Sequence, residues 1–240
     1  MWMLLFLRSQ RLNLTQAYPK QSRQGRPEPL NLGSNYMEKL ETEVKFYISD
    51  IQSIRKCISD LGAQSRGRYF ESNLRFEDKQ RSLHTKKFLL RLRRDKTTTL
   101  TIKSPPAECD NKFKKMKELE VEVSDFDTMN HILQTLGFHC EQIYEKWRET
   151  LVMEETLFCL DCMPFGNFLE IEGQEEDIKN YVSRLGLQWS KRILLNYLEI
   201  FDILKNNKKL DFVDVTFDNF KNIEVGINDY LNLIELHGGG

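Results

Sequence analysis

Between residues 38 and 173 the chain repeats one pattern: short stretches in which every second residue is charged and the residues between are mostly apolar. In "ETEVKFYI", Glu41, Glu43 and Lys45 alternate with Thr42, Val44, Phe46 and Ile48. In "LLRLRRD", Arg91 and Arg93 alternate with Leu90 and Leu92, and in "ELEVEVS", Glu118, Glu120 and Glu122 oppose Leu119, Val121 and Val123. "YEKWRET" sets Lys146 and Arg148 against Trp147, and "FLEIEG" sets Glu170 and Glu172 against Leu169 and Ile171. Side chains at i and i+2 of a strand share a face. A single such strand is ordinarily half-buried, with its charged face in water. Here five strands each gather mainly one sign of charge, and the sign changes from strand to strand. A merely solvated face would mix signs within a strand. A sheet that closes with these faces inward would enclose both acids and bases, leaving apolar outer faces for helices to cover.

The rest of the pattern fits such closure. Strand-like stretches occur at 38–48, 67–77, 88–94, 98–103, 117–124, 142–153, 156–161 and 167–173. Helical spacing puts Ile51, Ile54, Ile58 and Leu61 on one stripe of 50–61, and Met129, Ile132, Leu133 and Leu136 on one stripe of 126–136. Gly62 and Gly137 follow these segments as stop signals. Residues 175–186 and 193–205 read as two further helices. The expected fold class is α+β: a closed antiparallel β-barrel, or tunnel, of about eight strands with helices packed outside.

Residues 1–36 lack sustained periodicity and read as a disordered lead-in. Met37 opens the patterned part, as a translation start or as the end of a flexible tail. Residues 37–205 form the expected tunnel domain. Residues 206–240 are a C-terminal extension with a strand-like piece (Leu210 to Phe217) and a short helical one (Ile227 to Leu236).

Charge and motifs exclude several functions. Thirty-five Lys and Arg face 36 Asp and Glu, for a formal net charge of −1, which argues against a general nucleic-acid binder. No apolar run approaches the roughly 20 residues of a membrane span. The run from Met1 to Leu7 is short, with no basic residue before it and no small-residue cleavage site after it, so it is not read as a signal peptide. Five irregularly spaced cysteines do not make a disulfide framework, and the expected compartment is the cytoplasm. Cys159 and Cys162 form a lone CxxC, whereas a zinc ribbon needs a second pair. His84, His131, His139 and His237 show no ligand spacing. Without a Walker loop or GxGxxG, side chains would have to hold any phosphate.

The enclosed charges suit one ligand chemistry. Carboxylates at i, i+2 can converge on Mg²⁺ or Mn²⁺, which prefer oxygen ligands, and arginine forks and lysines match phosphate oxygens. Together they suit a polyphosphate with a bound cation, and the bases offset the cost of burying the acids.

The ordered set resembles the CYTH superfamily, the triphosphate tunnel metalloenzymes. Its opening Glu-x-Glu-x-Lys is matched by Glu41, Glu43 and Lys45. Arg91 and Arg93, Lys103 in "TIKSP", Glu120 and Glu122, Lys146 and Arg148, Asp161, and Glu170 with Glu172 follow in order. The segments "YFESNLRFED", "LDCMPFGNFLEIEG" and "NYLEIF" bring the chain nearest the class IV adenylyl cyclase-like branch. The resemblance implies a triphosphate bound by Lys45, Arg91, Arg93, Lys103, Lys146 and Arg148. It implies Mg²⁺ or Mn²⁺ bound by Glu41, Glu43, Glu120, Glu122, Asp161, Glu170 and Glu172. Lys45 is also a candidate to activate the nucleophile, for which a lysine needs a depressed pKa. Asn73 stands where an Asp is common, Asn196 where a Ser usually precedes Tyr197, and Lys191 or Arg192 stands in for a basic residue near the last helix. Glu118 is an extra acid expected at the rim.

Two reactions fit: cyclisation of ATP to cyclic AMP and pyrophosphate, and hydrolysis of an inorganic or organic triphosphate such as thiamine triphosphate. A non-catalytic polyphosphate- or nucleotide-binding module and a plain structural domain are the competing classes. The expected partner is a nucleoside or other triphosphate, with neither nucleic acid nor membrane; a homodimer is left open.

Overall fold

The computed structural model describes residues 39–107 and 111–236. The lead-in 1–36, Met37, Cys109, His237 and the terminal glycines lie outside them. β1 (Lys39–Tyr47), β2 (Gln64–Glu77), β3 (Leu89–Arg94), β4 (Thr98–Ser104), β5 (Lys114–Glu122), β6 (His139–Met153), β7 (Thr156–Met163) and β8 (Gly166–Glu172) form one sheet. They close into an antiparallel barrel in the order β1-β5-β4-β3-β2-β6-β7-β8. The expected α+β class and barrel are what the chain adopts.

The helices are α1 (Ile51–Asp60), α2 (Ser82–Thr85), α3 (Phe126–Thr135), α4 (Glu175–Arg184), α5 (Tyr197–Lys208) and α6 (Leu231–Leu236). Asp50 starts α1 by accepting from the amides of Gln52 and Ser53, and Gly62 ends it at φ +103°, a conformation costly for other residues. Ile54 and Ile58 of α1 and Ile178, Tyr181 and Val182 of α4 bury against the outer faces of β1, β7 and β8, where Val44, Phe46, Phe158, Leu160, Leu169 and Ile171 project. Leu133 of α3 and Leu83 of α2 cover Phe76, Leu90 and Leu92 on β2 and β3. Each such side chain contributes ~1.5–3 kcal/mol when fully buried, so the apolar faces turn outward and the charged faces inward. Cover is incomplete: Leu40, Leu119 and Val121, on the outside of β1 and β5, stay exposed.

One end of the barrel is plugged. Asn196 caps α5 in a reciprocal capping box with Glu199. Tyr197, Ile200, Phe201 and Leu204 then pack with inward-facing Tyr144 and Phe168 and with Val215, Phe220, Val225, Ile227 and Ile234 of the C-terminal segment. The helix expected from 193 starts at 197 because Ile193 exchanges backbone hydrogen bonds with Lys45 instead (2.7 and 3.2 Å). The strand expected over Leu210–Phe217 is only a one-residue parallel bridge from Val215 to Tyr144. β6 reaches below the end of β7, and Val215 satisfies this free edge by donating to Ile143 O (2.8 Å) and accepting from Glu145 N (2.9 Å). Among the described residues, no helix is long and apolar enough to cross a membrane. The described cysteines are free thiols, with Cys159 and Cys162 on opposite faces of β7.

Candidate active site in the barrel interior

Cross-strand register collects the predicted charges. Lys45 lies opposite Glu170, Glu43 opposite Glu172, Arg93 opposite Asn73, Thr101 opposite Glu120, and Arg148 opposite Asp161. Side chains of directly paired residues share a face, so these groups line one interior. The deepest are Lys45, Lys146 and Asp161, the last fully buried. Exposure rises away from α5, to 20% at Arg148 and 36% at Glu120. The ionic interior is therefore open to water at one end and stopped by α5 at the other.

The floor is a dense ion-pair network. Asp161 accepts from Lys146 Nζ (3.0 Å), Arg148 Nε (2.6 Å) and the Tyr197 hydroxyl (2.7 Å). Arg148 also donates to Glu170. Lys45 Nζ pairs with Glu170 (3.0 Å), donates to Leu195 O (3.1 Å) and lies 4.3 Å from the centre of the Tyr197 ring. Nearer the open end, Arg91 and Arg93 approach Glu120 at 3.5 and 3.6 Å, and Glu120 accepts from Thr101 Oγ1 (2.7 Å). Lys103 bonds Glu41 and approaches Glu118 at 3.6 Å, so Glu118 belongs to the interior network. Glu122 shares this face, opposite Thr99, but is exposed at the rim.

Glu71, Lys114 and Tyr197 are interior residues that were not among the candidate site residues. Glu71 is buried opposite Lys146. Lys114 lies opposite Glu43, 2.5 Å from its carboxylate. Tyr197 forms the floor. Glu71 carried a signal in its spacing from Asn73 and Arg75. Lys114 precedes the stretch recognised as a strand. Tyr197 lay in the "NYLEIF" segment that carried the resemblance, but nothing in its spacing marked it as an interior residue, because only the docking of α5 turns it inward. Of the stand-ins near the last helix, Arg192 serves elsewhere: its guanidinium donates to the backbone oxygens of Asn111, Lys112 and Trp189 and ties down the segment before β5.

The network fixes protonation. Burial works against ionisation of Glu71, but Lys146, Arg148, Arg93 and Arg91 outweigh it and bring its carboxyl down to about 2. Burial likewise opposes the charge of Glu170, and Lys45 and Arg148 hold it well below the usual range. Glu43 is lowered, with Lys114 overcoming its burial. Glu41 goes the other way: burial and the neighbouring Glu43 raise it against the pull of Lys103, with Glu118 and Glu172 adding to the rise. Burial pushes the Cys159 thiol up to about 12, so it stays protonated and unreactive.

The corner around Glu41, Glu43 and Glu172 gathers three carboxylates, engaged by Lys103, Lys114 and Lys39, and its donors are carboxylate oxygens, which hard divalent cations take. In this respect the residues fit Mg²⁺ or Mn²⁺. Among the described residues, no three acids, histidines or cysteines are arranged as they stand to hold an ion; Lys103 and Lys114 engage Glu41 and Glu43 instead. Phosphate-binding capacity is also present: Arg91 Nε is buried without a hydrogen-bond partner, a donor available to an anion entering the barrel.

Comparison with known proteins agrees with this geometry. The chain is similar in structure to the PH1012 protein of Pyrococcus horikoshii OT3, with 26% identity and a TM-score of 0.57 over 66% of this chain and 98% of that one. A Vibrio parahaemolyticus protein provisionally assigned as an adenylate cyclase shares the fold at 19% identity, TM-score 0.59, over 68% and 98% of the two chains. So does the Hippeastrum protein HpAC1, provisionally an adenylyl cyclase, for which a dominant triphosphatase activity is described (16% identity, TM-score 0.51, 68% and 95%). No curated protein matches the chain significantly. The CYTH domain family matches residues 39–183, more than half of the sequence, and with the closed barrel and its charged interior in view, the chain belongs to the CYTH family.

Proposed function

We propose that the barrel is the active site of a metal-dependent enzyme acting on a triphosphate, with conversion of ATP to cyclic AMP and pyrophosphate as the leading reaction. The supporting observation is convergence: Lys45, Arg91, Arg93, Lys103, Lys146 and Arg148 come from four strands and face one interior with one solvent-open end. In this reading those six side chains hold the phosphate chain. Glu41, Glu43, Glu120, Glu122, Asp161, Glu170 and Glu172 would hold the Mg²⁺ or Mn²⁺ or orient its waters, in exchange for the pairing of Lys103 with Glu41 and of Lys114 with Glu43. The cation, when bound, supplies charge neutralisation and lowers the pKa of the attacking hydroxyl or water. Lys45 is the candidate to assist the nucleophile; Glu170 and Leu195 O position its ammonium. Residues 37–205 act as the tunnel domain, and the extension from 206 braces its closed end.

Cyclisation and hydrolysis differ in which phosphorus lies in line with the nucleophile: the α-phosphorus for a ribose 3′-hydroxyl, the terminal one for water. Hydrolysis is the second reading, supported by the triphosphatase activity described for the Hippeastrum neighbour. The test incubates the protein with ATP, tripolyphosphate and thiamine triphosphate, each with Mg²⁺ or Mn²⁺, and measures cyclic AMP and free phosphate separately. Cyclic AMP from ATP supports the first reading and phosphate release the second. Binding without product would leave a sensor module, and no binding of any of the three would reject the proposal.

A further inference from the structure

We infer that Tyr69 is a stacking platform at the mouth of the barrel, and that the substrate is an organic triphosphate whose aromatic ring rests on it. This rests on the triphosphate reading above and goes further by naming the residue that selects a ring-bearing triphosphate over an inorganic one. Tyr69 lies on the interior face of β2, directly opposite Arg148 and two residues above Glu71. It is the aromatic side chain at the point where the ionic interior meets solvent, and it is 39% exposed. Because α5 stops the far end, a phosphate chain lying on Arg148, Lys146 and Lys45 has to leave the rest of its molecule at this mouth.

The ring is held in place rather than hanging free. The β2–β6 register shifts between Ser65 and Arg68, a bulge that brings Gly67 beneath the ring. Gly67 has φ +105°, and a Cβ there would lie 2.8 Å from the Tyr69 hydroxyl oxygen and 2.9 Å from a ring carbon, so only glycine admits this placement. The hydroxyl donates to Arg66 O (3.4 Å), and Lys96 Nζ lies 5.8 Å from the ring centre. A fixed, partly bare aromatic face directly across the strand pair from a phosphate-binding arginine suits a base or similar heterocycle, whereas inorganic tripolyphosphate offers it nothing. Base–aromatic stacking is sequence-tolerant and survives loss of the hydroxyl, because it uses the π-face.

The experiment measures dissociation constants of ATP and tripolyphosphate, each with Mg²⁺, by calorimetry for the wild type, Tyr69→Ala and Tyr69→Phe. The expected result is a loss of roughly tenfold in ATP affinity for Tyr69→Ala, with tripolyphosphate changed less than about twofold and Tyr69→Phe near wild type for both. An equal loss for both ligands would make Tyr69 a structural residue and overturn the inference. So would a wild type that binds tripolyphosphate as tightly as ATP, with the triphosphate reading left standing. A wild type that binds neither would overturn both.

Discussion

Glu43 and Glu172 stand directly opposite each other across the β1–β8 pairing, both facing the barrel interior, and each is met by a lysine from another position. Lys114 lies 2.5 Å from Glu43, and Lys39 lies 2.8 Å from Glu172. Like charges directly across a strand pair are destabilising, so this corner holds together only while cations occupy it.

Lys114→Met removes the cation that overcomes the burial of Glu43. Lys114 is partly exposed, which places the cost between that of a surface pair and a buried one, about 2 kcal/mol. Urea unfolding should show this loss without divalent ions. Excess Mg²⁺ should restore more stability to the variant than it adds to the wild type. Equal Mg²⁺ effects on both would contradict a cation-binding corner.

Acid should unfold the protein through Glu71. Its carboxyl is held at about 2 against an ordinary 4.5. The stabilisation is therefore complete above about pH 4.5 and is lost as pH falls toward 2, a contribution on the order of 3 kcal/mol. Glu71→Gln should be less stable at pH 7, because Lys146 loses a partner, yet decline less steeply below pH 4.5. Denaturant midpoints across pH 2–7 check this, and an unchanged acid slope would refute it.

Tyr197 should matter for its ring more than for its hydroxyl. Phenylalanine there removes one donor to Asp161, which keeps Lys146 and Arg148, and should cost about 1 kcal/mol. Alanine leaves a void beneath Lys45 and Lys146 and should cost about 3–5 kcal/mol. Comparable losses for the two variants, measured by urea unfolding, would show that the hydroxyl rather than the packing supports the floor.

The C-terminal brace depends on Val215. Val215→Pro deletes the amide that bonds Ile143 O and leaves that oxygen without this partner, a loss of about 1 kcal/mol. Proteolysis should then cut sooner within 209–226. An unchanged cleavage rate would mean that the segment is held by its packing and by its other bonds to β6, from Ile143 N to Asp214 and from Gln142 to Val213 O, without this one.

The barrel was legible because period-two alternation survives wherever one face is wholly ionic. Each of the eight strands expected between 38 and 173 has its counterpart, and Glu41, Glu43, Lys45, Arg91, Arg93, Lys146 and Arg148 all point where their spacing says. What escaped has physical causes. Lys114 sits in "KFKKMKELE", where lysines on both faces of β5 blur the alternation. Glu71 shares its face with Tyr69, Asn73 and Arg75, so no single sign marks that strand. Glu122 has the right parity but lies too near the strand end to be covered. The tail mimics a strand in hydropathy, yet it supplies only Val215 to the ladder, and the next β6 amide, Ile143 N, is taken by the Asp214 side chain instead of a backbone carbonyl. Exposure of Leu119 and Val121 was equally invisible, since alternation says which face is apolar but not what covers it.

The central claim is that the interior binds a triphosphate through its arginines. Titration calorimetry of ATP with Mg²⁺ into the wild type and into Arg93→Ala tests it most directly, because Arg93 sits near the open end, paired with Asp95 (3.2 Å) and Glu120 (3.6 Å), and its removal should leave the fold intact by circular dichroism. Loss of one charge-assisted contact of ~1.5–3 kcal/mol should weaken binding about 10- to 100-fold. Identical affinities in the two proteins, or no binding by the wild type, would contradict it.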